Sequence, residues 1–434
     1  MNTTDNQYGS RLGAILTMIG VAVGLGNVWR FPYMMGAYGG SAFLLIYLLF
    51  TLALAFPALL TEMLAGRNSG SSTLTAYANL FGNRWGKAIG YLLILAVTVA
   101  GSYYVVVVAN VFFSAGFSII RGFSADHNPG YHALLADSAL QYGVVVLTVV
   151  AALYVAHRGL KKGIERISRI IMPFFLLAVL YMIVYAWTLP GALAKVRQFL
   201  APDFSAVGPR EVFAALGQAF YSIGLGGTFV VVYASYIGES RDIPRIGVFT
   251  CLGDLGASLL VSLFLVPAVL VMGMQMDAGP SLIFQTLPEL FAVLPGGRLI
   301  GSLFLLSVSL VAFLSLIAAF QVPISSLAGH RISGKKLLTG FGLLQLLLSF
   351  PSTFYPQLIG LLDLVFGSGM QVLGSMLAVM GMWWGARRMF FRKMLFADPE
   401  SGRAGLAVFW LRWIVPGTLL AVLIGYVYSS LSGG

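Results

Sequence analysis

Gly20-Val21-Ala22-Val23-Gly24-Leu25-Gly26-Asn27-Val28-Trp29-Arg30-Phe31-Pro32 interrupts an otherwise apolar segment at membrane depth. Three glycines, an amide and a guanidinium within eleven residues serve no purpose on a lipid-facing helix. Glycine costs a helix about 1 kcal/mol relative to alanine, and an unwound turn frees backbone groups that lipid cannot satisfy. Irregular backbone at that depth is tolerated only where it is buried in protein or lines a cavity. The stretch therefore points to a binding site.

The rest of the chain agrees with a membrane setting. Of 434 residues, 59% are hydrophobic and 9% charged, the balance of an all-α polytopic membrane protein rather than of a soluble core. The single cysteine, Cys251, excludes intrachain disulfides and a cysteine metal site. The four histidines (His127, His132, His157, His330) are scattered and form no ligand pair. With no triad, metal cluster or nucleotide loop in view, an enzyme is not expected. The net charge of +11 sits in short loops between apolar runs, which reads as the positive-inside effect and not as nucleic-acid binding. The first apolar segment is long and carries the break, unlike a cleavable signal.

Apolar segments of spanning length, about 20 residues each, fall near 11–37, 41–66, 88–121, 139–156, 166–188, 212–237, 245–274, 298–328, 337–353, 356–385 and 404–430. These are spans 1 to 11. Basic residues cluster in alternate loops (Arg67/Arg84/Lys87, Arg158 to Arg169, Arg241/Arg245, Arg331/Lys335/Lys336, Arg387 to Lys393), which predicts a cytoplasmic N-terminus and an external C-terminus. The external connections 189–211 and 275–297 are long enough to fold over the outer mouth. Span 6 carries a second break, Ser222-Ile223-Gly224-Leu225-Gly226-Gly227, five spans after the first. That placement predicts one transporter domain over 1–434, with an inverted five-plus-five repeat (11–188 and 212–385) and an extra helix at 404–430. Paired broken helices in corresponding halves mark the midplane site of a secondary transporter. Glycine runs that merely close-pack helices account for one break, less readily for both.

Arg11-Leu12-Gly13 followed by Gly24 to Tyr33 resembles the helix 1 signature of the neurotransmitter:sodium symporter family. Gly39-Gly40-Ser41-Ala42-Phe43, Pro57 with Glu62 and Gly66-Arg67, Lys162-Gly163-Ile164-Glu165-Arg166 with Pro173, Pro202-Asp203-Phe204-Ser205, Gly217-Gln218-Ala219-Phe220 and Tyr233-Ala234-Ser235-Tyr236 extend the similarity from about residue 8 to the end of span 11. Short loops resemble the bacterial amino-acid branch. The resemblance implies a sodium-coupled importer of the bacterial inner (plasma) membrane, with amino-acid substrate and lipid bilayer as partners; monomer and homodimer stay open.

A zwitterion needs amides for its carboxylate and carbonyls for its ammonium, and a half-helix N-terminus supplies the former. The resemblance implies Leu25 and Gly26 amides with the Tyr104 hydroxyl for the carboxylate, and carbonyls near Val21, Ala22 and Tyr221 for the ammonium. Gly24 stands where monoamine-transporting relatives carry aspartate, so the substrate brings its own carboxylate. The pocket wall aligns with Val21, Ala100, Tyr104, Val107, Tyr221, Ser222, Gly224, Gly227, Ser315 and Ala319. Its small residues predict a large hydrophobic or aromatic side chain on the substrate.

For Na+, one or two ions, the resemblance implies a first site at Ala22, Asn27, Ser222 and Asp254, and a second at Gly20, Val23, Val311 and Ser315. Two departures matter. Asp254 replaces the family's usual asparagine, and an ionised group in a membrane is functional by default. Leu314 stands where relatives carry an oxygen ligand, which weakens the second site. The positions matching the Cl- site are Tyr47, Gln218, Ser222 and Ser258, with Asp254 adjoining; Asp254 as internal anion is preferred over bound chloride. Arg30 and Asp363 resemble an external ion-pair gate with Phe220 or Tyr221 as lid. The internal gate positions read Asp5 and Gly329, leaving Asp5 with Arg331 as a charge-reversed substitute. Gly163 and Pro173 keep the spacing that relatives use where the cytoplasmic half of span 5 unwinds. Two alternatives stay open: a proton-coupled amino-acid transporter of the same fold, and a non-transporting amino-acid sensor.

Overall fold

The computed structural model describes residues 7–70, 72–238, 242–275, 281–328, 333–385, 388–396 and 398–431, all of them in helices, turns and loops apart from one isolated bridge. Among them, nine continuous helices are long and apolar enough to cross a membrane: Ser41–Arg67, Asn83–Ile120, Ser138–His157, Leu160–Trp187, Ile243–Val271, Gly297–Leu327, Gly334–Phe354, Gln357–Trp383 and Gly402–Tyr426. They are spans 2 to 5 and 7 to 11. Span 1 is a bent pair, Arg11–Ala22 and Gly26–Ala37, at 65° to each other. The expected span 212–237 is two shorter pieces, Pro209–Ser222 and Phe229–Ala234, neither long enough alone.

Span 3 (Asn83–Ile120) and span 8 (Gly297–Leu327) form the spine, with 78% of the apolar window of each buried inside the protein. Spans 9 and 11, at 33% and 28%, lie at the periphery and turn Leu343, Leu347 and Leu406 outward, where lipid is their natural solvent. Spans 3 and 8 pack on each other, and span 8 also packs on a piece of each broken helix, Arg11–Ala22 and Phe229–Ala234. Ala100 with Tyr104, and Ser315 with Ala319, are each one helical turn apart, so each pair shares the face turned to the breaks. Span 5 is wound throughout: Leu160–Glu165 forms a π-helical turn and Pro173 is accommodated inside the helix that follows. Two further π-turns, Gly26–Arg30 and Asp363–Gly369, carry residues of the cavity described below. Such one-turn bulges recur at functional sites.

The connection 189–211, expected on the outer side, folds back on the bundle. Ser41 donates its hydroxyl to the Leu200 carbonyl at 2.6 Å, and Gly40 bridges Pro202.

Span 6 breaks because Gly224 and Gly226 turn left-handed, at φ of 70° and 77°. At Gly226 the requirement is double, since a Cβ there would also sit on the Gln371 carbonyl of span 10. Gly226→Ala therefore combines a left-handed side chain, about 1–2 kcal/mol, with an overlap costing about 1–3 kcal/mol. We expect a sharply lowered thermal unfolding temperature in detergent. The comparison is Gly143→Ala in the middle of span 4, where open space surrounds the position and the substitution is expected to be neutral or mildly stabilising. Equal effects at the two positions would refute the account.

Candidate functional site

The two breaks face each other across a cavity in which about 110 Å³ is open to the centre of a water molecule. Span 1's first half ends at Ala22, and Val23 is extended before the helix resumes. Two side chains hold the unwound turn. Asn27 accepts from the Gly24 amide at 2.8 Å, and Ser315 donates to the Val23 carbonyl at 2.9 Å and reaches the Gly20 carbonyl at 3.5 Å. On the opposite side the buried Glu62 carboxylate accepts from the Gly226 amide at 2.9 and 3.2 Å, satisfying a donor that the span 6 break exposes.

Of the expected pocket residues, Val21, Ala22, Gly24, Leu25, Gly26, Ala100, Tyr104, Tyr221, Ser222, Gly224, Ser315 and Ala319 all line this cavity. The Tyr104 hydroxyl lies against the Leu25 backbone and the Ser315 side chain. Val107 and Gly227 are not in the lining. Gly227 was expected to add volume; instead Phe229, which the sequence reading passed over, fills the space that its missing side chain leaves. Tyr103, Gln371 and Gly367 also line the cavity without having been singled out.

Asp254 is fully buried in span 7, and every hydrogen-bond partner it has among the described residues is neutral. Asn27 donates to its Oδ1 at 2.7 Å and Ser222 to its Oδ2 at 2.8 Å. The same Asn27 amide nitrogen reaches Ser258 at 2.7 Å and Ser222 at 3.1 Å. An ionised carboxylate accepts only, so Asn27 turns its NH2 toward it and its oxygen toward Gly24. One cluster thus ties span 1's break, span 6's break and span 7 together. Its oxygen-rich character suits a hard cation. Of the other anion-site positions, Ser258 donates back to the Asp254 carbonyl at 3.1 Å, the Tyr47 hydroxyl is buried beside Asp254 and Ser222, and the buried Gln218 amide has no hydrogen-bond partner among the described residues.

Near the expected second cation site the residues diverge. Ser315 engages the Gly20 and Val23 carbonyls, and Val311 is buried one turn away on span 8. Leu314 presses on the same turn: a Cβ on Gly20 would lie 2.8 Å from its Cδ1. An apolar branch takes the place of an oxygen donor there.

Arg30 and Asp363 do not pair in this conformation. The Arg30 guanidinium lies over the Tyr221 ring, 4.8 Å from its centre, a stacking its flat cation favours. Asp363 accepts instead from the Tyr103 hydroxyl at 3.0 Å. Tyr221, not Phe220, stands at the cavity; Phe220 is buried on the far side with Leu225 and Tyr426. Asp5 and Arg331 lie outside the described residues, as does Gly329. At the cytoplasmic end that the charge pattern predicts, Glu165 of span 5 accepts from the Gly9 amide at 2.8 Å and pairs with Arg169, which also donates to Ser10, the cap of span 1, at 2.6 Å. Glu165 stood in a quoted motif; its target, Gly9, eleven residues before Gly20, gave no signal.

Comparison with known proteins agrees with this architecture. The family model described as the Sodium:neurotransmitter symporter family matches residues 5–125 and 134–360. The uncharacterized sodium-dependent transporter YhdH of Bacillus subtilis is 31% identical over 353 residues, 80% of this chain and 78% of that one. An uncharacterized sodium-dependent transporter of Methanocaldococcus jannaschii is 31% identical over 354 residues, covering 76% and 71%. The crystal structure of MhsT in complex with L-phenylalanine superposes with a TM-score of 0.85 at 28% identity, covering 97% of this chain and 99% of that one.

If the Tyr103 hydroxyl holds Asp363 away from Arg30, Tyr103→Phe frees the carboxylate to pair and narrows the cavity mouth. A cysteine introduced at Gln371, with the native Cys251 thiol buried, reports this through its rate of labelling by a membrane-impermeant maleimide. The rate is expected to fall roughly two- to tenfold, the equivalent of about 0.5–1.5 kcal/mol for one hydrogen bond. An unchanged or faster rate would show that another contact keeps the pair apart.

Proposed function

Because the chain belongs to the sodium:neurotransmitter symporter family, we propose that it is a sodium-coupled symporter that imports amino acids with large hydrophobic or aromatic side chains by alternating access. The observation that carries this reading is the juxtaposition of two broken helices, a cavity between them and a buried oxygen cluster at its edge. The substrate carboxylate binds at the Leu25 and Gly26 amides, where span 1's second half begins, with the Tyr104 hydroxyl beside it. Its ammonium meets carbonyls where the first half ends, near Val21 and Ala22. Gly24 leaves no charge at the break: a Cβ there would already lie 3.2 Å from Ser315 and 3.5 Å from Tyr104. The bound L-phenylalanine of MhsT supports an aromatic side chain.

Sodium is co-substrate. Ala22, Asn27, Ser222 and the Asp254 carboxylate supply its oxygens, and the substrate carboxylate completes the set, so ion and amino acid bind together. Asp254 also brings the negative charge that a chloride ion would otherwise supply. Ser222, one of the four anion-site donors, already donates to the Asp254 carboxylate, which favours the built-in carboxylate over a bound ion. With Leu314 against Gly20 the second cation site is the weaker, and one sodium per cycle is the expected stoichiometry. The repeats run over 11–188 and 212–385, with span 11 outside them; the N-terminus is cytoplasmic and the C-terminus external in a bacterial plasma membrane. A proton-coupled cycle is the second reading, favoured by a buried carboxylate with only neutral partners.

Uptake of radiolabelled leucine, phenylalanine and tryptophan into proteoliposomes tests all of this. Uptake is expected to require a sodium gradient and to continue undiminished when gluconate replaces chloride. Uptake driven by a pH gradient without sodium would favour the proton-coupled reading, and binding without uptake a sensor. Asp254→Asn is expected to lower sodium-driven uptake steeply in gluconate and to regain part of it with chloride; strict chloride dependence of the unmodified protein would sink the internal-anion role. Tyr104→Phe removes one hydrogen bond to a charged group, about 1.5–3 kcal/mol, and should raise KM on the order of ten- to a hundredfold.

A further inference from the structure

We propose that Phe229 is the residue that limits the size of the substrate side chain, and that its position depends on the glycine at 227. The inference rests on the amino-acid reading above. Phe229 lines both the main cavity and a satellite void of about 10 Å³ bounded also by Leu93, Ala96, Val97, Phe366 and Met370. With Ala100 and Gln371 it is one of three residues common to both linings. The groups assigned above to the substrate's charged end (the Leu25 and Gly26 amides and Tyr104) lie at the span 1 break, while Phe229 belongs to the span 6 break and shares the lining with Ala100, Gly224 and Gln371. A substrate anchored by its charged end meets that lining with its side chain.

The ring is held there by backbone. Thr228, between Gly227 and Phe229, is left-handed at φ 59°, the one non-glycine among the described residues to be so. That conformation is unusual for a β-branched residue, and Thr228 is fully buried, its hydroxyl without a hydrogen-bond partner among the described residues while its carbonyl accepts from the Val232 amide at 2.9 Å. What it does is start the half-helix Phe229–Ala234 so that Phe229, its first residue, folds back over Gly227. A Cβ on Gly227 would overlap the ring, with Cδ2 at 2.5 Å, and one on Gly224 would touch it at 3.9 Å. Strain of this kind persists where surrounding structure enforces it and commonly belongs to a functional site.

Phe229→Ala joins the satellite void to the cavity and should favour larger side chains. Gly227→Ala pushes the ring off its seat and should favour smaller ones. The measurement is isothermal titration of the purified full-length protein, in sodium, with valine, leucine, phenylalanine and tryptophan. The ratio of the tryptophan Kd to the leucine Kd is expected to fall about tenfold or more in Phe229→Ala, less in the conservative Phe229→Leu, and to rise in Gly227→Ala, on the scale that pocket volume alone discriminates. Phe229→Leu keeps the test valid if the alanine variant does not fold. Ratios unchanged in variants that still bind, or moving the same way at both positions, overturn the role of Phe229 and leave the amino-acid reading standing. Failure of the unmodified protein to bind any of the four overturns both.

Discussion

The structure depends on a buried carboxylate, Asp254, with no basic partner among the described residues. Moving an ion of that size into a protein interior carries a penalty of several kcal/mol even after relaxation, and Asp254 meets it with neutral donors alone. Those donors come from two different helix breaks, Asn27 after the first and Ser222 before the second. Whatever neutralises Asp254, a cation or a proton, acts at the point where the two breaks are joined. Coupling between ion and backbone conformation is then local and electrostatic, and needs no chain of contacts across the bundle.

Around that cluster the chain solves a second problem, the backbone groups set free by unwinding. Each break has its own answer. Asn27 and Ser315 serve the first; Glu62 serves the second from span 2. The spine of spans 3 and 8 contributes little charge and much packing, and its small residues Ala100 and Ala319 line the cavity beside the breaks. Rigid long helices thus carry the pocket floor, while the irregular turns carry its polar groups.

How much of this was legible depends on the reach of each signal. Glycines, an amide and a cation inside an apolar run announce a break wherever they stand, and a lone acid such as Asp254 in an apolar span announces a function. Glu62 was quoted but given no role, because its partner Gly226 lies 164 residues away. Tyr103 and Tyr104 are adjacent, about 100° apart around the helix, so one meets the span 1 break and the other Asp363. Residue type identified Arg30 and Asp363 as possible partners, but which partner each takes belongs to the conformation. Gly227 misled because volume read from a missing side chain assumes that no neighbour moves in, and a left-handed Thr228 brings Phe229 to it.

The contact between Gly9 and Glu165 has a mechanical meaning. The first half of span 1, Arg11–Ala22, is an arm with its pivot at the unwound turn and its tip beside the Gly9–Glu165 hydrogen bond. Twelve residues of α-helix measure about 18 Å, so a rotation of roughly 10° at the pivot carries the tip about 3 Å. A displacement of that size exceeds what a 2.8 Å hydrogen bond tolerates. Rearrangements at the pivot too small to change the cavity's shape are therefore multiplied into the making or breaking of a latch at the far end of the arm.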